Sequence, residues 1–126
     1  MFTKGFDKYA CEGDTITCEH DGFTLVATIH RDSDAIPETD SAYALDKAIV
    51  DAWYQDEWFY CGVAVTAYCD EIKLTGTYEH ALWGIECNFP GSDNSYLRDV
   101  ANDYIPDAIE SAKAKIRMLV QKMTID

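Results

Sequence analysis

A chain of 126 residues that is 48% hydrophobic and 13% aromatic has the size of one domain and enough apolar material for a core, which excludes a disordered acidic tail. Its 23 acidic against 10 basic side chains, a net charge of −13, argue against direct binding to nucleic acid or to anionic membrane. No apolar run approaches the roughly 20 residues of a membrane span and no basic-then-apolar leader opens the chain, so the expected location is the cytoplasm, with Cys11, Cys18, Cys61, Cys69 and Cys87 as reduced thiols.

Residues 14–20 place Ile16 and Cys18 on one side and threonines on the other, the period of two of a half-buried strand. Phe23, Leu25, Ala27 and Ile29 repeat the pattern, and Asp21-Gly22 between the runs suits a type I′ turn, so residues 14–31 are predicted to form a β-hairpin. After a polar loop from Asp32 to Thr39, Asp40 or Ser41 is placed to cap a helix in which Ala42, Leu45, Ala48, Ile49, Ala52 and Trp53 recur at helical spacing, ending near Asp56.

Trp58 to Cys69 reads as a long strand with Phe59, Cys61, Val63, Val65, Ala67 and Cys69 on one face and Trp58, Tyr60 and Tyr68 on the other, which implies a central or covered position. Asp70-Glu71 turns the chain into a strand with Ile72, Leu74, Gly76 and Tyr78 in phase. The apolar set then becomes Trp83, Ile85, Cys87 and Phe89, so the parity flips near His80 through a bulge or a break between two strands. A loop at Pro90–Ser95 precedes a helix carrying Leu97, Val100, Ala101 and Tyr104, which Pro106 kinks or divides before Ala108, Ile109, Ala112, Ile116, Leu119, Val120 and Met123 continue the stripe. The order β-β-α-β-β-α over a single domain, residues 1–126, predicts an α+β fold: a mostly antiparallel sheet of four to five strands with two helices on one face.

Signatures of catalysis are missing. There is no glycine-rich phosphate loop, no His-Glu-x-x-His helix and no paired-cysteine knuckle, so neither enzymatic activity nor a cofactor is expected. His20 and His30 fall at hairpin ends; His80, flanked by Glu79 and Glu86, is where acid–base chemistry would be sought, although a histidine at a strand irregularity is more often structural. Cys11 and Cys18 lack the flanking motif of a nucleophile. Asp32, Asp34 and Glu38 lack the spacing and central glycine of a calcium loop, so no metal site is assigned, and Ser92, Asp93, Asn94 and Ser95 read as a turn and helix cap.

The charge is uneven: residues 1–112 hold 22 acids and six bases, whereas residues 113–126 hold four bases and one acid. Asp99, Asp103 and Asp107 recur at steps of four, with Glu110 three further on, so successive carboxylates rise by about 6 Å along one ridge, close to the step between phosphates of a nucleic-acid strand. Residues 32–57 add eight acids, among them Asp46, Asp51, Asp56 and Glu57, against the single base Lys47. Acids near helix starts complement the dipole and keep a protein soluble, but Asp103, Asp107 and Glu110 lie beyond the first turn of the helix as predicted. Such a face suits a positively charged groove on a protein built to hold DNA or RNA.

Trp58-Phe59-Tyr60-Cys61-Gly62-Val63-Ala64-Val65, His80-Ala81-Leu82-Trp83-Gly84-Ile85-Glu86, and Ser92-Asp93-Asn94-Ser95-Tyr96-Leu97 with Val100-Ala101-Asn102 resemble a family of small acidic proteins of unknown role carried by bacterial phages and mobile elements, along residues 1–125. The resemblance implies genomic context and supplies no site residues. Small acidic proteins of such elements include anti-CRISPR and antirestriction inhibitors, several of them DNA mimics. The expected partner is therefore a host defence protein or complex with a basic nucleic-acid groove. The alternative is a non-catalytic accessory module, homodimeric through exposed Trp58, Tyr60 and Tyr68.

Overall fold

The computed structural model describes residues 1–124. Its elements in chain order are β1 (Thr15–His20), β2 (Phe23–Arg31), α1 (Lys47–Tyr54), β3 (Phe59–Cys69), β4 (Ile72–Lys73), β5 (Ala81–Cys87), α2 (Ser95–Asp103) and α3 (Ile105–Met123). All sheet pairing is antiparallel, and the fold is the expected mixture of sheet and helices. Asp21 and Gly22 both take positive φ, 52° and 83°, the backbone a two-residue I′ turn requires, and they set the register from Thr15↔Thr28 to His20↔Phe23. β2 then pairs along β3 from Thr24↔Tyr68 to Arg31↔Cys61. β3 is the central strand, buried from Phe59 to Ala67, which accounts for apolar side chains on both of its faces.

The far edge of β3 is divided between two partners, and this sharing shortens the strand predicted over residues 72–79. β5 takes residues 59–64, so β4 is left with Tyr68 and Cys69 alone. Leu74 follows β4 into the core, its amide donating to the Ala67 carbonyl, and the Thr75 hydroxyl accepts from the Ala67 amide at 3.1 Å. Residues 76–79 then turn, with the Glu79 carboxylate accepting from the Gly76 amide.

The parity change lies at Trp83-Gly84 rather than near His80. Cys61 pairs with Ile85 and Val63 with Leu82, so Trp83 and Gly84 together oppose Gly62 in a bulge. Gly84 takes φ of 75°, and its amide donates to the Asp32 carboxylate at 3.0 Å. Ile85 and Cys87 face the main core, whereas the Trp83 ring lies over Gly62 on the opposite face and Phe89, past the end of β5, packs with Trp58 there too; the predicted common face for Trp83, Ile85, Cys87 and Phe89 is corrected, Trp83 being turned away by the extra residue of the bulge.

Phe23, Leu25, Ala27 and Ile29 of β2 and Phe59, Cys61, Val63, Val65 and Ala67 of β3 form the sheet side of the main core. Leu97, Ala101, Ile105, Ala108, Ile109 and Ala112 cover them, and these belong to the second predicted helix, divided into two beside Pro106; the placement of the first predicted helix on the same face is corrected, because Trp58 and Tyr60 give β3 a second apolar face to be covered. The shorter α1 packs on the other face, where Ala52 and Ile49 meet Trp58 and Tyr60. It starts at Lys47, later than predicted, with the Asp46 carboxylate accepting from the Ile49 amide. Ala42 and Leu45, which carried the earlier start, are not on a buried face, and Leu45 is fully exposed.

Phe2, Phe6 and Ala10 of the N-terminal segment complete the core, held there by amide side chains that serve as surrogate strand partners. Asn102 accepts from the Phe2 amide at 2.7 Å and donates to its carbonyl, Asn88 does the same for Ala10, and Asn94 donates to the carbonyls of Asp7 and Lys8.

Candidate functional site

In α2, Leu97 and Ala101 point into the core four residues apart, which turns Asp99 and Asp103 outward. The helix stops at Tyr104, whose amide bonds back to Ala101 and Asn102; Pro106 lacks a donor and sits at the start of α3, where that loss costs nothing. α3 restarts at once with Asp107 in its first turn and Glu110 beyond it. Asp99, Asp103, Asp107 and Glu110, four, four and three residues apart in the chain, are all exposed. Arg98 lies 3.9 Å from Asp99, and Arg117 lies 3.8 Å from Glu110. Between them Asp103 and Asp107 have no ion pair among the described residues. The centre of the ridge is its least neutralised part.

Asp46, Asp51, Asp56 and Glu57 belong elsewhere. They sit at and around α1, on the opposite face of the sheet from α2 and α3, so the eight acidic residues form two separate surfaces. Local structure employs several of them: Asp46 caps α1, Asp51 pairs with Lys47 at 2.5 Å and raises the pKa of that exposed amine, and Asp56 takes a left-handed φ of 61° where the helix ends. Other acids of this face are occupied by tyrosines. The Tyr43 hydroxyl donates to Glu86, which with burial pushes its pKa up to about 12, Tyr54 donates to Glu38, and Tyr60 donates to Asp40 at 3.0 Å. The ridge is thus the acidic surface with the fewest internal duties.

Trp58 and Tyr60 do not form an exposed aromatic surface, because α1 and the Tyr43 segment cover them to 0% and 3% exposure. The Trp58 indole donates to the Ile49 carbonyl at 3.0 Å, and its ring meets Tyr43, Tyr60 and Phe89 edge to face. The homodimer surface expected there is corrected by α1 packing, and Tyr68 alone of the three remains partly exposed.

His80 lies 2.8 Å from the Ser111 hydroxyl and 3.5 Å from the Glu79 carboxylate, but both neighbours share its Nε2. A serine–histidine–acid relay needs the acid on the opposite ring nitrogen, so this trio ties β5 to α3 without relay geometry. Asp32 accepts from the Asp34 amide through one oxygen and from Gly84 through the other, and Glu38 receives Tyr54, so the carboxylates of Asp32 and Glu38 are engaged by the protein itself. Among the described residues no group of three or more His, Cys, Asp or Glu is placed to hold a metal ion. All five cysteines are free; Cys61 and Cys87 are buried as neighbours, and hydrogen bonding to Cys87 together with burial pushes the Cys61 thiol up. No helix is long and apolar enough to cross a membrane among the described residues.

Asn94 is the residue whose role its sequence context conceals. Ser92-Asp93-Asn94-Ser95 does make the turn, with the Asp93 carboxylate accepting from the Ser95 amide, which lowers its pKa, but the residue at the N-cap position, Asn94, makes no side-chain cap bond. Asn94 itself is fully buried at φ of 65° and also bonds Asn88. No protein-family description matches the chain, and no curated protein or solved structure is significantly similar to it.

Proposed function

We propose that the protein is an inhibitor of host defence, of the kind phages and mobile elements carry, which occupies the basic nucleic-acid groove of a defence complex in the bacterial cytoplasm. It works by binding, without chemistry of its own. The observation that carries this reading is the run Asp99–Asp103–Asp107–Glu110: four exposed carboxylates spaced four, four and three residues apart along α2 and α3, the central two without an ion pair among the described residues. The ridge is held on helices anchored by Leu97, Ala101, Ala108 and Ala112, so little backbone order would have to be gained on binding. The acidic body of residues 1–112 steers the encounter, and a Debye length of about 8 Å at physiological salt makes the contact salt-sensitive.

The test is a restriction or CRISPR interference assay with the isosteric variant Asp99→Asn/Asp103→Asn/Asp107→Asn/Glu110→Gln. Inhibition is expected to disappear while circular dichroism and Tm stay those of a folded protein. A folded variant that still inhibits as the wild type does would remove the mimic reading. Neutralising Asp46, Asp51, Asp56 and Glu57 instead is expected to leave inhibition intact, because those residues face the other way.

A further inference from the structure

α3 outruns the domain it covers. Its first half is fixed by Ile105, Ala108, Ile109 and Ala112, and Lys113 reaches Asp21 in the β1–β2 turn at 3.7 Å, so the sheet ends beneath that point. Ile116 is the last residue of the helix that packs against the core. Beyond it Leu119, Val120 and Met123 are 38%, 53% and 83% exposed. Their spacing with Ile116, three, four and seven residues on, is that of an apolar stripe made to be covered. A helix end that served only as a solvated tail would have no use for it.

The surroundings of the stripe say what covers it. Lys113, Lys115, Arg117 and Lys122 flank it, with no acid between Lys113 and Thr124. The matching negative surface is on the same molecule: the register Thr24↔Tyr68 brings the Asp21-Gly22 and Asp70-Glu71 turns to one end of the sheet, the end that α3 passes. A single copy cannot bring the tip of its own straight helix back onto that end. A second copy can.

We infer that the chain self-associates through residues 116–123, two α3 ends packing antiparallel, stripe against stripe, with Lys122 of each copy lying toward Asp70 and Glu71 of the other. A parallel pair would set four cations beside four and leave the acidic turns out of reach, so charge selects the antiparallel arrangement. Asp107 is nine residues from Ile116, about two and a half helical turns, so it lies on the side of α3 opposite the stripe. Pairing therefore leaves the acidic ridge exposed on both copies, and this inference stands whether or not that ridge inhibits a defence complex. Two helix ends of about 12 Å each make a small interface, so the association is a weak one, in the lower class of protein contacts.

Sedimentation velocity on the full chain from about 1 μM to 1 mM, at low and at physiological salt, tests it. The wild type is expected to pass from monomer to dimer, with the midpoint at higher concentration in higher salt. Val120→Glu, at an exposed position, is expected to stay monomeric throughout with unchanged circular dichroism, and Lys122→Glu to weaken the dimer, with recovery when it is combined with Glu71→Lys. A wild type that is monomeric at every concentration, or a dimer indifferent to Val120→Glu, overturns the inference. So does a monomer that floats with phosphatidylserine vesicles through the same stripe, since the helix end would then be a membrane anchor.

Discussion

Replacing Gly62 with alanine tests the bulge directly, because one methyl group is set against an indole ring. A Cβ built at Gly62 falls within 2.7 Å of three ring atoms of Trp83. Carbon atoms at optimal contact are about 3.5–4.0 Å apart, so the ring must retreat by roughly an ångström or more. Retreat is resisted on two sides: Trp83 packs with His30 and Tyr78, and the adjacent Gly84 amide is bonded to Asp32. Overpacking of this kind costs about 1–3 kcal/mol, and the half-exposed Trp83 can swing outward, which favours the lower part of that range. At about 4 °C per kcal/mol for a domain of this size, Gly62→Ala should lower Tm by about 4–8 °C in differential scanning calorimetry. Gly62→Ala should cost less when added to Trp83→Ala than when made in the wild type, because the obstructing ring is gone. A Gly62→Ala protein as stable as the wild type, or a double mutant with purely additive losses, would show that the tight approach of Trp83 does not govern this strand pair.

Other outcomes follow from individual contacts. Asn94→Ala removes donors to Asp7, Lys8 and Asn88 from a fully buried position; the uncompensated groups should cost about 2–4 kcal/mol in urea unfolding, and the first ten residues should become the earliest site of proteolysis. With an aromatic disulfide reagent, Cys11 should react fast, and Cys61 and Cys87 only as the protein unfolds, so rapid modification of Cys61 would contradict its burial. Tyr43 has a folded pKa raised to about 12 by Glu86 and burial, so its contribution is complete below the unfolded value near 10 and is lost as pH rises through 12. Tyr43→Phe should abolish that segment of the alkaline stability loss and remove one late-titrating phenol from the absorbance titration.

What the sequence made legible was whatever depended on local period and turn chemistry. The Asp21-Gly22 hairpin and the doubly apolar β3 strand follow from alternation and from one dipeptide, and both are present, the hairpin in the register that its two-residue turn sets. Hidden features depended on partners distant in the chain. Phe2, Phe6 and Ala10 show no strand or helix period, because Asn88, Asn94 and Asn102 bind their backbone from about 80 to 100 residues away. α1 starts later than the apolar spacing predicts because Ala42 and Leu45 mimic a helical stripe while their segment is held instead by Tyr43, which packs on Trp58 and Phe89. The four-step ridge was visible in sequence. Its separation from Asp46, Asp51, Asp56 and Glu57 was not, since it depends on which parity of β3 each helix covers.

The break at Tyr104 changes the meaning of the ridge, and stability separates the two explanations for it. In an unbroken helix Asp103 and Asp107 would be mid-helix like charges, disfavoured by mutual repulsion. With α3 beginning at Ile105, both flank a helix N-terminus, where the dipole favours negative charge, although Asp103 also closes α2, where the dipole opposes it. If these two residues exist to stabilise α3, Asp103→Asn/Asp107→Asn should lower Tm and leave inhibition untouched. If they exist for a partner's cations, the same variant should keep or raise Tm, because repulsion along the ridge is relieved, and should lose inhibition. The exposure of both carboxylates, unpaired among the described residues, favours the second outcome, and the opposite pattern in calorimetry and interference assay would return the ridge to a role in helix stability alone.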